Sequence, residues 1–473
     1  MPEILRPDIC VVGAGSGGLS VAAAAAAFGV DVVLIERGRM GGDCLNTGCV
    51  PSKALLAAAR RAHEIRTAPA LGLRVGEPAV DFGAVREHLR RTIAHIAPND
   101  SIARFTAMGV RVIEESARFL DRDSLEAGAF VVRARRFVLA TGSRAAMPAI
   151  PGLAEAGALT NETVFDLTEL PSHLVVIGAG PVGVELAQAF RRLGSRVTVL
   201  EARQPLANED PECARFVLES LRKDGVELHA PASIRRVERE ESLVRVAFEH
   251  EGRDMTVEGS HLLVATGRIP VTEGLDLARA GIAATTSGIT VGDDLRTTNR
   301  RVFAIGDVAG SWQFTHLANA HAGLVIRSIL FRLPARASTR AVPRVTYTDP
   351  ELAGVGVTEA QAKAAGALRI LRWSFHENDR ARTEGEPTGE VKLVVSPRGR
   401  ILGATIVCPH AGEMIALLQL ALLKNMTVRD LVAMTFPYPT LSEAVRRAAL
   451  AFYTPGLTKP IVHRILSVLR KFG

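Results

Sequence analysis

Short apolar runs recur along the chain, each closed by a glycine-rich turn and followed by a longer helical stretch. Ile9-Cys10-Val11-Val12 leads into Gly13-Ala14-Gly15-Ser16-Gly17-Gly18 and then an alanine-rich stretch to Phe28. A second strand-like run, Asp31-Val32-Val33-Leu34-Ile35, stops at Glu36. The same order returns at Leu174-Val175-Val176-Ile177, Gly178-Ala179-Gly180-Pro181-Val182-Gly183, a helical stretch from Glu185 to Leu193, and Arg196–Leu200 ending at Glu201. Each acid stands 23 residues after the first glycine of its turn.

Strand, G-x-G-x-x-G turn, helix and distant acid together form the dinucleotide-binding pattern. Gly13 and Gly178 make the tight turn, Gly15 and Gly180 let the backbone approach a pyrophosphate, and Gly18 and Gly183 let helix and strand pack closely. The helix N-terminus attracts the phosphates, while Glu36 and Glu201 accept from ribose hydroxyls. One such turn is weak evidence; two complete units at matching spacing imply two nucleotides. Glu201 would pair with a free 2′-hydroxyl and repel a 2′-phosphate, favouring NADH over NADPH, with Arg203 softening the preference.

Between the two units lies Gly41-Gly42-Asp43-Cys44-Leu45-Asn46-Thr47-Gly48-Cys49-Val50-Pro51-Ser52-Lys53. In regular helix the two cysteines would be at least ~7.5 Å apart, beyond the ~4.4–6.8 Å of a disulfide. A reversible disulfide here therefore needs a distorted helix, which Gly48 permits. Pro51 suits the first turn of the following helix. Cys49 then lies near that helix's positive end and should be the lower-pKa thiol.

Composition narrows the partners. The 473 residues, 47% hydrophobic, are enough for about two to four domains. No run of about 18 uncharged apolar residues demands a membrane span. With five cysteines and one close pair, the chain suits a catalytic thiol couple in a reducing compartment, and a cytoplasmic location is expected. The N-terminus does not read as a signal peptide. Although the net charge is +7, the 50 arginines are scattered among 50 acids, so nucleic-acid binding is not expected. No resident metal is expected.

On these motifs the chain resembles the FAD-dependent pyridine nucleotide–disulfide oxidoreductases, a family that includes dihydrolipoyl dehydrogenase, glutathione reductase and mercuric reductase. Ala140-Thr141-Gly142-Ser143 and Ala265-Thr266-Gly267-Arg268 resemble its paired strand-end turns. Ala304-Ile305-Gly306-Asp307-Val308 resembles the motif whose acid holds the flavin ribityl chain. Tyr347–Gly356 resembles the opening of its dimerisation domain. The resemblance implies an α/β fold: two Rossmann-like domains, for FAD and NAD, plus a C-terminal α+β dimerisation domain. The FAD-binding domain would comprise residues 1–150 and 275–338, the NAD(P)H-binding domain 151–274, and the interface domain 340–455 of a homodimer.

It also implies roles. Cys49 would face the flavin as the charge-transfer thiolate, and Cys44 would meet the substrate. Lys53 would sit near flavin N5, with Glu185 as its partner and gate for the nicotinamide. Gly42, Thr141, Gly142 and Gly267 join the cofactor-binding positions, and His316 would lie near the flavin pyrimidine unless it only caps or packs. The family's disulfide reductases usually present a His-Pro-Thr and a glutamate from the second subunit. Here the sequence is Phe436-Pro437-Tyr438-Pro439-Thr440, followed by Glu443, so Tyr438 takes the histidine's place. A phenol titrating near ~10 is a poor base where an imidazole near ~6.5 is a good one. Mercuric reductases carry a similar Phe-Pro-Tyr, but their vicinal C-terminal cysteines and N-terminal metal-binding extension are absent here. The leading expectation is a mercuric-reductase-like enzyme acting on a soft metal ion or small electrophile. A dihydrolipoyl-type disulfide oxidoreductase is the alternative, and a redox-sensing or membrane-associated flavoprotein the second.

Residues 456–473 form a basic amphipathic tail. Ile461, Ile465, Leu466, Val468, Leu469 and Phe472 fall largely on one helical face, with Arg464, Arg470 and Lys471 around it. Packing onto the dimer or onto its own domain is the preferred expectation. Peripheral contact with an anionic membrane is the other reading.

Overall fold

The strand Ile9–Val12 is buried at all four positions, at the centre of a five-stranded parallel sheet. Arg136–Leu139 and Val32–Ile35 flank it, and Val302–Ala304 and Arg111–Ile113 form the edges. A central parallel strand is covered on both faces, which explains an unbroken apolar run instead of alternation. The helices Ser16–Ala27 and Thr315–Phe331 contribute to the core on one face, where alanines permit close approach. A second sheet of Glu3–Leu5, Phe130–Val132, Leu125–Ala127 and Ala117–Phe119 covers the other; Phe119 meets Phe137 edge-on at 5.6 Å. This computed structural model describes residues 2–310, 312–366, 368–457 and 459–472.

The second nucleotide unit repeats the plan. Four parallel strands lie in the order Glu227–His229, Arg196–Leu200, His173–Ile177, His261–Val264. An antiparallel meander, Ala232–Glu240, Leu243–His250 and Arg253–Gly259, packs against them. The helix spans Pro181–Leu193, beginning four residues before the predicted Glu185. Pro181 explains the earlier start, because its fixed φ and missing N–H suit the first helical position. The chain passes between the units through a two-stranded ribbon in which Ser143–Ala145 pairs with Arg268–Pro270.

The C-terminal unit is α+β: a five-stranded antiparallel sheet ordered Arg344–Thr346, Glu351–Gly356, Ile401–Cys408, Glu390–Val395, Arg369–Ser374. The helices Ala411–Leu423 and Glu443–Leu450 share its core. Buried ion pairs tie this unit to the second nucleotide unit. Arg192 holds Asp224 and Asp349, each at 2.7 Å, and the buried Lys392 meets Asp210 at 2.7 Å. An ammonium removed from water needs such partners, and losing one would leave an uncompensated charge.

In the tail, Pro460–Leu469 is helical, and none of its residues is buried. Among the described residues the helix is therefore not buried against its own domain, one of the two packings expected for it; Thr458 and Gly473 lie outside the described residues. Among the described residues no helix is long and apolar enough to cross a membrane.

Candidate active site

The two glycine turns are built alike. Gly13 and Gly178 adopt φ +102° and +104°, where a side chain would be strained and its Cβ would strike the carbonyl oxygen of Ala140 or Ala265. A Cβ on Gly18 would lie 1.8 Å from the Gly13 oxygen, and one on Gly183 2.0 Å from the Gly178 oxygen. Gly15 and Gly180 differ: a Cβ on either would meet nothing closer than 4.0 Å. Both cap their helices without any side-chain hydrogen bond, so first-turn N–H groups face open space. That is the cradle a pyrophosphate requires, and both nucleotides fit it. Gly42, at φ +58°, packs against Gly15 so closely that a Cβ would lie 2.7 Å from the Gly15 Cα.

Each terminal acid also closes its own turn. Glu36 accepts from the Ala14 N–H at 2.6 Å and the Gly38 N–H at 2.8 Å. Glu201 does the same with Ala179 at 2.7 Å and Arg203 at 2.9 Å. The acids are thus oriented before any ribose arrives, a bond pattern that spacing alone does not reveal.

The helix does break between the cysteines. Gly42–Asn46 ends, Thr47 and Gly48 leave helical geometry, and Cys49 begins the helix Cys49–Thr67 with Pro51 third. A Cβ on Gly48 would press on the Asp43 carbonyl at 3.0 Å. Both cysteines are free thiols in this structure, Cys49 the more exposed. The neighbouring Cys44 thiol lowers the Cys49 pKa to about 6; burial and the Asp43 charge oppose the shift, while Thr315 and the Lys53 charge reinforce it. The same interaction, with burial, pushes Cys44 upward. Thr315 Oγ1 stands 3.4 Å from the Cys49 sulfur.

One turn along, Lys53 Nζ lies 2.8 Å from Glu185 Oε2 and 4.2 Å from the centre of the Tyr347 ring. Burial works against the ammonium, but Glu185 outweighs it and holds Lys53 above its ordinary pKa. Glu185 lies within its helix, beyond the first turn, and its other oxygen accepts from the Tyr347 N–H at 2.9 Å. A cavity of about 160 Å³ opens beside them, lined by Lys53, Arg60, Gln188, Arg192, Tyr347 and Asp349.

A second network joins the cysteine motif to the flavin-motif acid. Ser143 donates to Asp307 Oδ2 at 2.5 Å, and Arg268 Nε donates to Ser143 at 2.7 Å. The other arm of Arg268 reaches Asp43 at 2.9 Å, and Asp43 accepts from Thr47 at 2.6 Å. Burial raises the Asp307 pKa, against the pull of Ser143 and Arg268. Thr141 donates to the Val271 carbonyl at 2.6 Å; Gly142 and Gly267, at φ +69° and +133°, have open space where a Cβ would project. His316 Nε2 meets the Pro343 carbonyl at 3.0 Å, and the ring stacks on Phe314.

Tyr438 stands elsewhere. It is 70% exposed, and its hydroxyl donates to Asp379 at 2.8 Å, a bond that raises its pKa. Glu443 pairs with Arg447 at 2.9 Å. Among the described residues of one chain, no hydrogen bond or ion pair connects Tyr438 or Glu443 to the cysteines, Lys53 or Glu185. Thr315, Tyr347, Asp43, Ser143 and Arg268 complete the site without having been assigned roles from sequence. Each adjoins or belongs to a motif already singled out.

Comparison with known proteins agrees with this arrangement. The family described as pyridine nucleotide-disulphide oxidoreductase matches residues 7–322, and its dimerisation domain matches 342–449. The chain is 36% identical to a mercuric reductase of Streptomyces lividans, covering 94% of this chain and 96% of that protein. It is 33% identical to a dihydrolipoyl dehydrogenase of Geobacillus stearothermophilus, covering 95% and 97%. Among solved structures, the Cu(II) complex of the HOCl-induced flavoprotein disulfide reductase RclA from Escherichia coli superposes with a TM-score of 0.85 at 28% identity, covering 96% of this chain and all of that one. The family is FAD-dependent and uses NAD(P)H. The chain belongs to the pyridine nucleotide–disulfide oxidoreductases.

Proposed function

We propose that this enzyme is a homodimer that passes electrons from NADH through the Cys44–Cys49 pair to a soft metal ion or small electrophile. The observation that carries the reading is Tyr438, standing where a disulfide reductase would present an imidazole. Its phenol is held protonated by the bond to Asp379, so near neutral pH it can donate a hydrogen bond but cannot serve as a base. Disulfide exchange with lipoamide or glutathione needs a base for the interchange thiol, whereas a metal ion can be reduced at a thiolate pair without one. The names of the relatives are compatible with both chemistries, and the RclA structure was solved with Cu(II).

The first glycine turn, Gly42 and Asp307 would hold FAD, and the second turn with Glu201 would hold NADH. When bound, FAD supplies a two-electron carrier between nicotinamide and cysteines. The protein's part is positional and electrostatic. Lys53 keeps a fixed positive charge beside Cys49, Glu185 orients that lysine, and Thr315 adds a hydrogen bond that favours the Cys49 thiolate. Cys44, raised in pKa, keeps its proton until a metal ion binding its sulfur displaces that proton to water. Two electrons convert the disulfide to thiol plus thiolate, with one proton taken up; returning them to a divalent metal ion would reduce it to the metal, re-form the disulfide and release that proton to solvent.

The deciding measurement is NADH and NADPH oxidation by the FAD-loaded enzyme against mercuric ion, cupric ion, lipoamide, glutathione disulfide and quinones. NADH with a metal ion should give the fastest turnover. Tyr438→His should raise disulfide turnover by about 10- to 100-fold while metal reduction falls. Lipoamide turnover by the parent that exceeds metal turnover would establish the dihydrolipoyl-type alternative instead.

A further inference from the structure

We infer that the C-terminal helix Pro460–Leu469 and the residues that follow it form a docking surface for an anionic lipid bilayer. At about 100° per residue, Ile461, Val462, Ile465, Leu466, Val468, Leu469 and Phe472 cover one arc of about 160°. His463, Arg464, Ser467, Arg470 and Lys471 fill the remaining arc, with no residue out of place. Among the described residues the apolar face is not buried by its own chain. Ile461 is 59% exposed and Phe472 82%, and the other members lie between exposed and half-buried. Leaving so contiguous an apolar strip in water is unfavourable, so the strip marks a surface that meets something.

Charge identifies the occupant. After Glu443 the sequence contains no aspartate or glutamate, while Arg446, Arg447, Lys459, Arg464, Arg470 and Lys471 are all basic. A surface of anionic headgroups complements this distribution, and each cation within a Debye length of it strengthens partition by about fivefold. Shape favours the same partner. Two copies of a helix zip through a narrow seam, whereas an apolar arc of about 160° flanked by cations suits a flat interface between headgroups and acyl chains. Arginine and lysine at the arc's borders can run their methylenes along the acyl boundary and keep their charges at the headgroups. In a homodimer two such helices would act together, multiplying the affinity of each. None of this depends on which acceptor the cysteines reduce.

The test is cosedimentation of the FAD-loaded full-length enzyme with phosphatidylglycerol/phosphatidylcholine vesicles, beside vesicles of phosphatidylcholine alone. Pelleting is expected only with the anionic vesicles and should weaken as salt is raised. The triple variant Arg464→Gln, Arg470→Gln, Lys471→Gln should lower partition by about a hundredfold, three factors of about five. Ile465→Glu with Leu469→Glu should abolish it, and removal of residues 459–473 should do the same. NADH oxidation and dimer mass by light scattering should remain unchanged in every variant. A tryptophan introduced by Phe472→Trp should shift its emission to the blue on adding anionic vesicles. Pelleting that ignores these changes, or no pelleting by the parent, would overturn the inference. So would a truncation that splits the dimer, which would make a second copy the occupant.

Discussion

The Cys49 sulfur is influenced most by the neighbouring Cys44 thiol, lies 3.4 Å from Thr315 Oγ1 and feels the Lys53 ammonium, with burial and the Asp43 charge acting the other way. A pKa lowered to about 6 means that the thiolate is populated above that pH and lost below it. Alkylation of the reduced protein by iodoacetamide should therefore climb through about pH 6 and level off by neutrality, instead of climbing through the ordinary 9. Cys44→Ala removes the largest influence and should move the midpoint upward by about one unit or more; Lys53→Met should move it the same way by less. A midpoint untouched by Cys44→Ala would show that the Cys44 thiol is not its cause. At this scale the sequence made Cys49, Lys53 and Glu185 legible, because the cysteine motif is local and the second glycine turn announces its helix. Thr315 was hidden by its 266-residue separation from Cys49, and the Tyr347 bond to Glu185 spans 162. No local pattern encodes either meeting.

Helices and turns were legible in proportion to how much of their geometry is set by a few residues. Both nucleotide units follow from glycine turns whose first and last glycines cannot be replaced for steric reasons, so spacing alone was enough to find them. Their ends were less visible: the second helix starts at Pro181 because proline at the first position is a start signal that apolar periodicity does not count. The break between Cys44 and Cys49 was readable as a geometric necessity, yet the crowding of Gly48 against Asp43 was not. The glycines of one turn should respond differently to the same change. Gly183→Ala places a methyl 2.0 Å from a backbone oxygen and should cost about 1–3 kcal/mol or block folding. Gly180→Ala meets nothing within 4 Å, so thermal unfolding should be almost unchanged. Its methyl would instead occupy the space through which a pyrophosphate approaches, and NADH should bind more weakly by calorimetric titration. Equal destabilisation by both substitutions would contradict the steric account.

In the whole molecule, the separation of Tyr438 from the thiols becomes an argument for assembly. Within one chain its hydroxyl is engaged by Asp379 and its ring is exposed, while the cysteine motif bonds through Asp43 and Lys53 to Asn161 and Glu185. Family resemblance placed Tyr438 across a dimer interface, and a single chain could never have displayed that contact. A two-fold axis makes the proposal testable, because each site would then draw its cysteines from one subunit and its phenol from the other. Cys49→Ser and Tyr438→Ala chains, each inactive or nearly so as a homodimer, can be unfolded together and refolded as a mixture. Half the dimers formed at random are hybrids, and in each hybrid one site would combine an intact cysteine pair with an intact tyrosine. Activity should return to about a quarter of the parent's. If Tyr438 served its own chain's thiols, every site in every hybrid would lack one group, and mixing would restore nothing. The recovered fraction thus reports whether the phenol crosses between subunits, independently of which electron acceptor is used to read it.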